Sequence, residues 1–309
     1  MSKQAKAVSV ERRAFLRHAW RIREVIRGAL ETPPPARSST TTFLVPHHDS
    51  AEFLEVCLHA IRRFHPDSRI IVVDAASERG EYFGAKQACR RYDAEHHAGL
   101  FRRGHTAQLN RLLCLAKSEV SVFLDQDCVL LAPLTPLVDM LRQGKLLIGP
   151  EDLMRLTHPG FLEAYPGSTE GYLRLGRGFI HASLMVVDPR RIRQLFGRRP
   201  FNWRKEWTGQ HIEKYYGLCR RLELTCPELI EPLKSQHTGY GLGMVYLHNS
   251  VPLAYHNWYS GRISKLHGKV DTVLDVDWLR AEMKRFLGDY WSGTLDFQLP
   301  KELPARKQD

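Results

Sequence analysis

Downstream of residue 40 the chain alternates between two hydrophobic rhythms. Short, β-prone apolar runs stand at residues 42 to 45, 69 to 73 and 120 to 124. Between and around them lie longer segments, 51 to 63, 80 to 91 and 104 to 117, whose apolar residues recur every three or four positions. Buried strands produce the first pattern and amphipathic helices the second. The alternation predicts βαβ units, and so an α/β fold with a mostly parallel sheet flanked by helices. The second half is less regular. Strands are expected at 145 to 149, 183 to 187, 228 to 231, 244 to 247 and 252 to 256. Helices are expected from Pro189, over 205 to 222 and over 277 to 289, with a Gly- and Pro-rich loop region from 149 to 178.

Ahead of this pattern, Phe15, Ala19, Ile22, Ile26 and Ala29 recur at helical spacing with arginines elsewhere, which predicts an amphipathic helix over residues 10 to 30. Pro33-Pro34-Pro35 stops it, and residues 38 to 42 read as a linker. The apolar stripe has two uses: packing on the main domain, or contact with a membrane surface or nucleic acid. Charge bears on the second. Residues 1 to 40 hold nine Lys or Arg against three Glu, a net +6 of the chain's formal +11. Basic character favours polyanions, anionic membrane surfaces or acidic substrates, without choosing among them. The simplest division of the 309 residues is an arm and linker at 1–40, a domain at 41–270 with halves 41–150 and 151–270, and a C-terminal helix and tail at 271–309.

No apolar run approaches the ~20 residues of a membrane span. The basic N-terminus lacks the apolar core of a signal peptide. Six cysteines are scattered without a Cys-x-x-Cys pair, which suits reduced thiols. The expectation is a cytoplasmic protein, with the arm allowing peripheral membrane attachment.

The chemistry concentrates at strand ends. Val-Ser-Val-Phe-Leu at 120 to 124 breaks off into Asp125-Gln126-Asp127. Two carboxylates at the C-terminal edge of a buried strand suit a hard divalent cation shared with a phosphate. The competing reading is a turn or capping pair. Asp275-Val276-Asp277 is the same triplet in front of a helical pattern, where an aspartate serves as an N-cap. Asp74 also ends a strand. It can accept hydrogen bonds from a base or ribose, or turn the chain towards Ser77. His47 and His48 follow Pro46 at the end of the first strand, either facing the site or simply solvated. In the segment from Tyr255 to Arg262, His256 is a candidate metal ligand, and Arg262, with Lys265, can neutralise phosphate oxygens. No Gly-x-Gly-x-x-Gly follows the first strand, and no Gly-x-x-x-x-Gly-Lys-Ser/Thr or His-Glu-x-x-His occurs. That argues against a dinucleotide oxidoreductase, a P-loop enzyme and the commonest zinc protease.

Pro46, the Ile-Val-Val-Asp run ending at Asp74, Gly104 with Asn110 six residues on, and Phe-Leu-Asp-Gln-Asp at 123 to 127 stand in the order found in GT-A glycosyltransferases. The chain resembles the family 2-like nucleotide-sugar transferases over roughly residues 42 to 262. The resemblance implies a Rossmann-like GT-A domain that binds a nucleoside diphosphate sugar through Pro46, His48, Asp74, Asn110, Asp125, Gln126 and Arg262. Asp74 would contact base or ribose. Asp125, Asp127 and His256 would hold Mn²⁺ or Mg²⁺, and Arg262 would face the diphosphate. The cation would stabilise charge on the nucleoside diphosphate leaving group. The resemblance favours UDP.

Inverting members of this family often carry a Glu-Asp pair as the base. Here Lys205-Glu206-Trp207-Thr208 puts Trp207 where the Asp would stand, leaving Glu206 as the candidate base. Its other reading is an acidic residue favoured by a helix N-terminus. The expected activity is sugar transfer to a hydroxyl acceptor, with modified DNA or a glycolipid or polysaccharide suggested by the basic arm. The rivals are a sugar-nucleotide pyrophosphorylase, which should carry a Gly-rich basic loop after the first strand, and a non-catalytic nucleic-acid-binding protein, which would leave the strand-end carboxylates unexplained.

Overall fold

Every residue of strand β1 (Thr41–His47) is buried, which requires cover on both faces of the sheet. The computed structural model describes residues 19–28, 30, 40–100, 104–126, 128–130, 133–150, 184–201, 218, 221–222, 226–233, 244–246 and 288–293. Helix α1 (residues 19–28) precedes β1. Then come α2 (Ala51–Phe64), β2 (Arg69–Asp74), α3 (Arg79–Arg91), β3 (Glu95–His97), α4 (His105–Leu115), β4 (Val120–Leu124), β5 (Cys128–Leu130), α5 (Thr135–Arg142), β6 (Leu147–Pro150), β7 (Leu184–Val187), α6 (Pro189–Phe196), β8 (Ile230–Leu233) and β9 (Met244–Tyr246).

Seven strands form one sheet in the order β3-β2-β1-β4-β7-β6-β8, and β5 pairs with β9 in a second, two-stranded sheet. β7 runs antiparallel to both its neighbours, while the other pairings of the large sheet are parallel. The expected mostly parallel α/β sheet is therefore present, with one reversed strand. The pleat sends alternate side chains into two cores. Phe43, Val45, Ile70, Val72, Val122 and Val186 pack with Leu54, Leu58 and Ile61 of α2 and Leu137 and Leu141 of α5. Leu44, Ile71, Val73, Phe123 and Met185 pack with Leu109, Leu112 and Leu113 of α4 and Ile192 of α6. Each fully buried Leu, Ile, Val or Phe side chain contributes about 1.5–3 kcal/mol by leaving water.

Local signals fix α6 well. Asp188 accepts hydrogen bonds from the Arg190 and Arg191 amides, Pro189 opens the first turn, and Gly197 takes φ +76° just past the end. β3, β5 and α5 were not expected. β3 is only Glu-His-His, held to β2 by a two-pronged Arg69–Glu95 ion pair at 2.5 and 2.8 Å. Of the expected strand at 252 to 256, nothing lies within the described residues.

α1 packs on the domain, but among the described residues it does so through a different side from the Ile22–Ile26 face of its expected stripe. α1 does not pack through Ile22 and Ile26, which are 39% and 55% exposed. Its polar side faces the domain. Arg21 and Glu24 are buried, Trp20 stacks edge-on to Tyr82 of α3 at 5.2 Å, and Glu24 pairs with Lys86 of α3 at 2.7 Å. Phe15 and Ala29 lie outside the described residues. At the far end of the chain, residues 288–292 are helical, and the Tyr290 hydroxyl meets His59 Nδ1 of α2 at 2.6 Å.

Candidate active site

In the order β3-β2-β1-β4 the chain steps outward from β1 in opposite directions, so β1 and β4 flank a topological switch point. Open α/β sheets hold ligands in the crevice outside the C-terminal ends of such strands. The β1–β4 ladder stops at Leu44 and Phe123, whereas β1 stays paired to β2 as far as His47 and Asp74. Pro46 has no N–H with which to extend a ladder, so it suits a strand end where the sheet opens.

Three loops meet at this edge. Asp74 is 1% exposed. Its Oδ1 accepts from the amides of Ala76 and Ser77 at 2.8 and 3.0 Å. Its Oδ2 accepts from His47 Nδ1 at 2.9 Å and from the Ser77 hydroxyl at 2.5 Å. Burial would raise the carboxyl's pKa, but the hydrogen bond and charge of His47 and the hydroxyl of Ser77 outweigh it and hold it at about 2. The His47 proton on Nδ1 leaves Nε2 buried, with no hydrogen-bond partner among the described residues. Ser77 Oγ also accepts from the Asp49 amide at 2.8 Å, and Asp49 Oδ1 accepts from the Glu78 amide at 2.8 Å. Asp49, Ser50 and Ala76 all take left-handed φ, of +53°, +58° and +67°. Such a conformation costs roughly 1–2 kcal/mol for a residue bearing a Cβ, and it clusters at ligand sites.

The third loop follows β4. Gln126 Oε1 accepts from the His48 amide at 2.8 Å, and Gln126 Nε2 donates to the carbonyls of His48 and Asp49 at 3.2 and 3.0 Å. The middle residue of the Asp-x-Asp triplet thus ties β4's exit to β1's exit. Asp125 is partly exposed, and its Oδ1 lies 3.5 Å from Nε2 of His105, the first residue of α4. Gly104 supplies the extended residue before that helix.

The structure brings Pro46, His48, Asp74, Asp125 and Gln126 to one sheet edge. Asn110 is used elsewhere. Its side chain exchanges two hydrogen bonds with the backbone of Phe201, at 2.5 and 3.0 Å, joining α4 to the segment after α6. Asp127, Glu206, His256 and Arg262 lie outside the described residues. Sequence reasoning missed His105, and although it offered Asp74 as turning the chain towards Ser77, it did not find the contacts of the Ser77 hydroxyl. It also selected His48 of the histidine pair, although His47 is the one fully buried against Asp74. The signals were present: a His immediately after the Gly of the Gly104 to Asn110 spacing, and a Ser three residues after a strand-end Asp.

The switch-point crevice, the seven-stranded mixed sheet and the carboxylate-bearing edge define a GT-A-like α/β protein. Residues 42–150, from β1 to β6, match the family model described as Glycosyl transferase family 2. No curated protein sequence matches the chain. Among solved structures, the chain is similar to the mannosyltransferase PcManGT from Pyrobaculum calidifontis in complex with GDP-Man and Mn²⁺. Identity is 20%, covering 62% of this chain and 58% of that one, with a TM-score of 0.40. It is similar to glucosyl-3-phosphoglycerate synthase from Mycobacterium tuberculosis in complex with Mn²⁺, UDP and glucosyl-3-phosphoglycerate, at 15% identity, 64% and 70% coverage and a TM-score of 0.44. The galactosyltransferase LgtC with donor and acceptor sugar analogues matches at 16% identity, 63% and 74% coverage and a TM-score of 0.41. The chain spans less than two thirds of PcManGT and of a second LgtC structure, at 58% and 59% of their lengths.

Proposed function

We propose that this protein transfers a sugar from a nucleoside diphosphate sugar, with UDP favoured by the resemblance, to a hydroxyl acceptor, assisted by Mn²⁺ or Mg²⁺. The observation that carries the reading is the Asp125-Gln126 edge at the β1/β4 switch point of a glycosyl transferase family 2 domain. The Asp125 carboxylate suits a hard divalent cation such as Mn²⁺ or Mg²⁺, and the His105 imidazole 3.5 Å away can add a nitrogen ligand. Among the described residues no three His, Cys, Asp or Glu side chains form a cage, so Asp127 and His256 would complete it. The backbone supports that assignment. β9 pairs antiparallel with β5 so that Tyr246 lies opposite Cys128, the residue after Asp127. Tyr246 stands ten residues before His256 in the sequence.

The bound cation would stabilise the charge developing on the departing nucleoside diphosphate. The chain's own residues do the rest. Gln126 holds His48 and Asp49 against the triplet. Asp74 serves the nucleotide half by fixing the 75–77 loop rather than by offering a free oxygen. Asn110 keeps α4 in place through Phe201, Arg262 faces the diphosphate, and Glu206 takes the proton of the attacking hydroxyl. The basic arm suggests an acceptor of one of two kinds, a polyanion such as modified DNA, or a glycolipid or polysaccharide. Thermal unfolding tests the donor half. UDP with Mn²⁺ should raise the melting temperature, and neither alone should match the pair. No shift with any nucleoside diphosphate and metal would refute it.

A further inference from the structure

We propose that α1 is an interfacial helix that seats the protein on an anionic membrane, an inference that rests on the helix's geometry and not on the sugar-transfer reading. α1 is built the opposite way from a helix packed on a core. Its inward side is polar and committed. Arg21 donates to the Ser77 carbonyl and stacks on Trp20 at 4.9 Å, and Glu24 is buried between Lys86 at 2.7 Å and Arg27 at 2.9 Å. These contacts, with Trp20 on Tyr82, clamp the helix to α3 in one orientation.

The outward side carries Ile22 and Ile26, which are 39% and 55% exposed, and Leu30, beyond residues 19–28, is 80% exposed. Ile22 and Ile26 lie about one turn apart on one face of α1, and Leu30 continues the same four-residue spacing in the sequence. Arg23 and Arg27, both exposed, fall between the stripe and the anchored side. An apolar stripe flanked by arginines is the pattern of a helix lying in a headgroup layer, apolar residues inserted and cations among the phosphates. The +6 of residues 1 to 40 complements an anionic leaflet. A DNA-binding surface would gain from the arginines but has no use for three exposed aliphatic side chains in register. No helix among the described residues is long and apolar enough to cross a membrane. Because Arg21 also holds the carbonyl of Ser77, whose hydroxyl binds Asp74, the docked helix is tied directly to the candidate donor loop.

The test is flotation of the full chain with phosphatidylcholine vesicles, with and without phosphatidylglycerol. The wild type should float with the phosphatidylglycerol vesicles. Replacing the stripe (Ile22→Ser, Ile26→Ser and Leu30→Ser together) should cut partitioning at least about tenfold with the melting temperature kept, since these side chains are exposed. Arg23→Gln with Arg27→Gln should remove the preference for phosphatidylglycerol. The proposal is overturned if the wild type stays unbound, if the serine variant partitions like the wild type, if duplex DNA is bound and vesicles are not, or if the serine change merely converts a dimer to a monomer.

Discussion

Gln126 and His48 bond each other reciprocally across the β1/β4 crevice: the His48 amide donates to Oε1 at 2.8 Å, and Nε2 returns to the His48 carbonyl at 3.2 Å. With its third bond, to Asp49, this one side chain sets the spacing of two strand exits that otherwise leave the sheet unpaired. Gln126→Ala removes all three bonds. It should cost about 1–3 kcal/mol in urea unfolding and weaken UDP binding. Gln126→Glu keeps an acceptor for the His48 amide but sets a carboxylate against two carbonyls, so its donor affinity should fall at least as far. Unchanged stability in Gln126→Ala would show that the loops close without it.

Asp74 gives the protein an acid limit. Its carboxyl is held at about 2 in the fold, below the ~3.9 of an unfolded chain. A depressed carboxyl stabilises the fold fully above the unfolded value and loses that contribution as pH falls through the folded one. Asp74 should therefore add about 2–3 kcal/mol at neutral pH, lost between about pH 4 and pH 2. Urea unfolding at a series of pH values should show this loss in the wild type and a shallower acid slope in Asp74→Asn. Parallel slopes would mean the His47 and Ser77 bonds do not hold the carboxyl down.

Gly99, just beyond β3, approaches the same carboxylate residue from behind. A Cβ there would lie 2.5 Å from the Asp74 carbonyl oxygen, a backbone atom that cannot swing away. Gly99→Ala should destabilise by about 1–3 kcal/mol and disturb the donor loop. Gly80→Ala, in α3, meets nothing within 4 Å and should be neutral or stabilising by up to about 1 kcal/mol. Thermal melts of the two variants, compared side by side, decide it.

Much of the first half was legible because each element carried a strong local signal. The apolar strands 69 to 73 and 120 to 124 and the periodic helices 51 to 63, 80 to 91 and 104 to 117 differ from the observed elements by at most two residues at their ends. β3 and β5 were not legible, since three residues are too few for any period. The face of α1 was not legible either. Hydropathy identified the stripe, but its direction is decided by Trp20 and Glu24 finding partners on α3 and Arg21 finding the Ser77 carbonyl just before it, a tertiary fact. Gln126 and Ser77 were both named from the sequence, but their contacts escaped for a similar reason: these depend on which backbone amides and carbonyls meet the two side chains across the edge. Asn110 was legible as a special position, yet its partner, the backbone of Phe201, lies 91 residues away.

Glu206 carries the stereochemical prediction. An inverting transfer needs a base within hydrogen-bond reach of the attacking hydroxyl. Glu206→Gln preserves size and most hydrogen bonding while removing basicity. It should lower turnover roughly 10²-fold or more with donor affinity largely kept, and an α-linked donor should yield a β-linked product by NMR coupling. A retained α linkage, or near-normal turnover in the variant, would remove Glu206 from the role.

The central claim, metal-assisted use of a nucleoside diphosphate sugar at the triplet edge, is tested most directly by incubating the protein with a panel of nucleotide sugars and following nucleoside diphosphate release. One donor should be cleaved in Mn²⁺ and spared in EDTA. Asp127→Ala and His256→Ala should each abolish both that release and Mn²⁺-dependent UDP binding, while Asp275→Ala, in the second Asp-x-Asp triplet of the sequence, should leave them intact. Cleavage of no donor, cleavage indifferent to metal, or equal behaviour of all three variants would contradict the account.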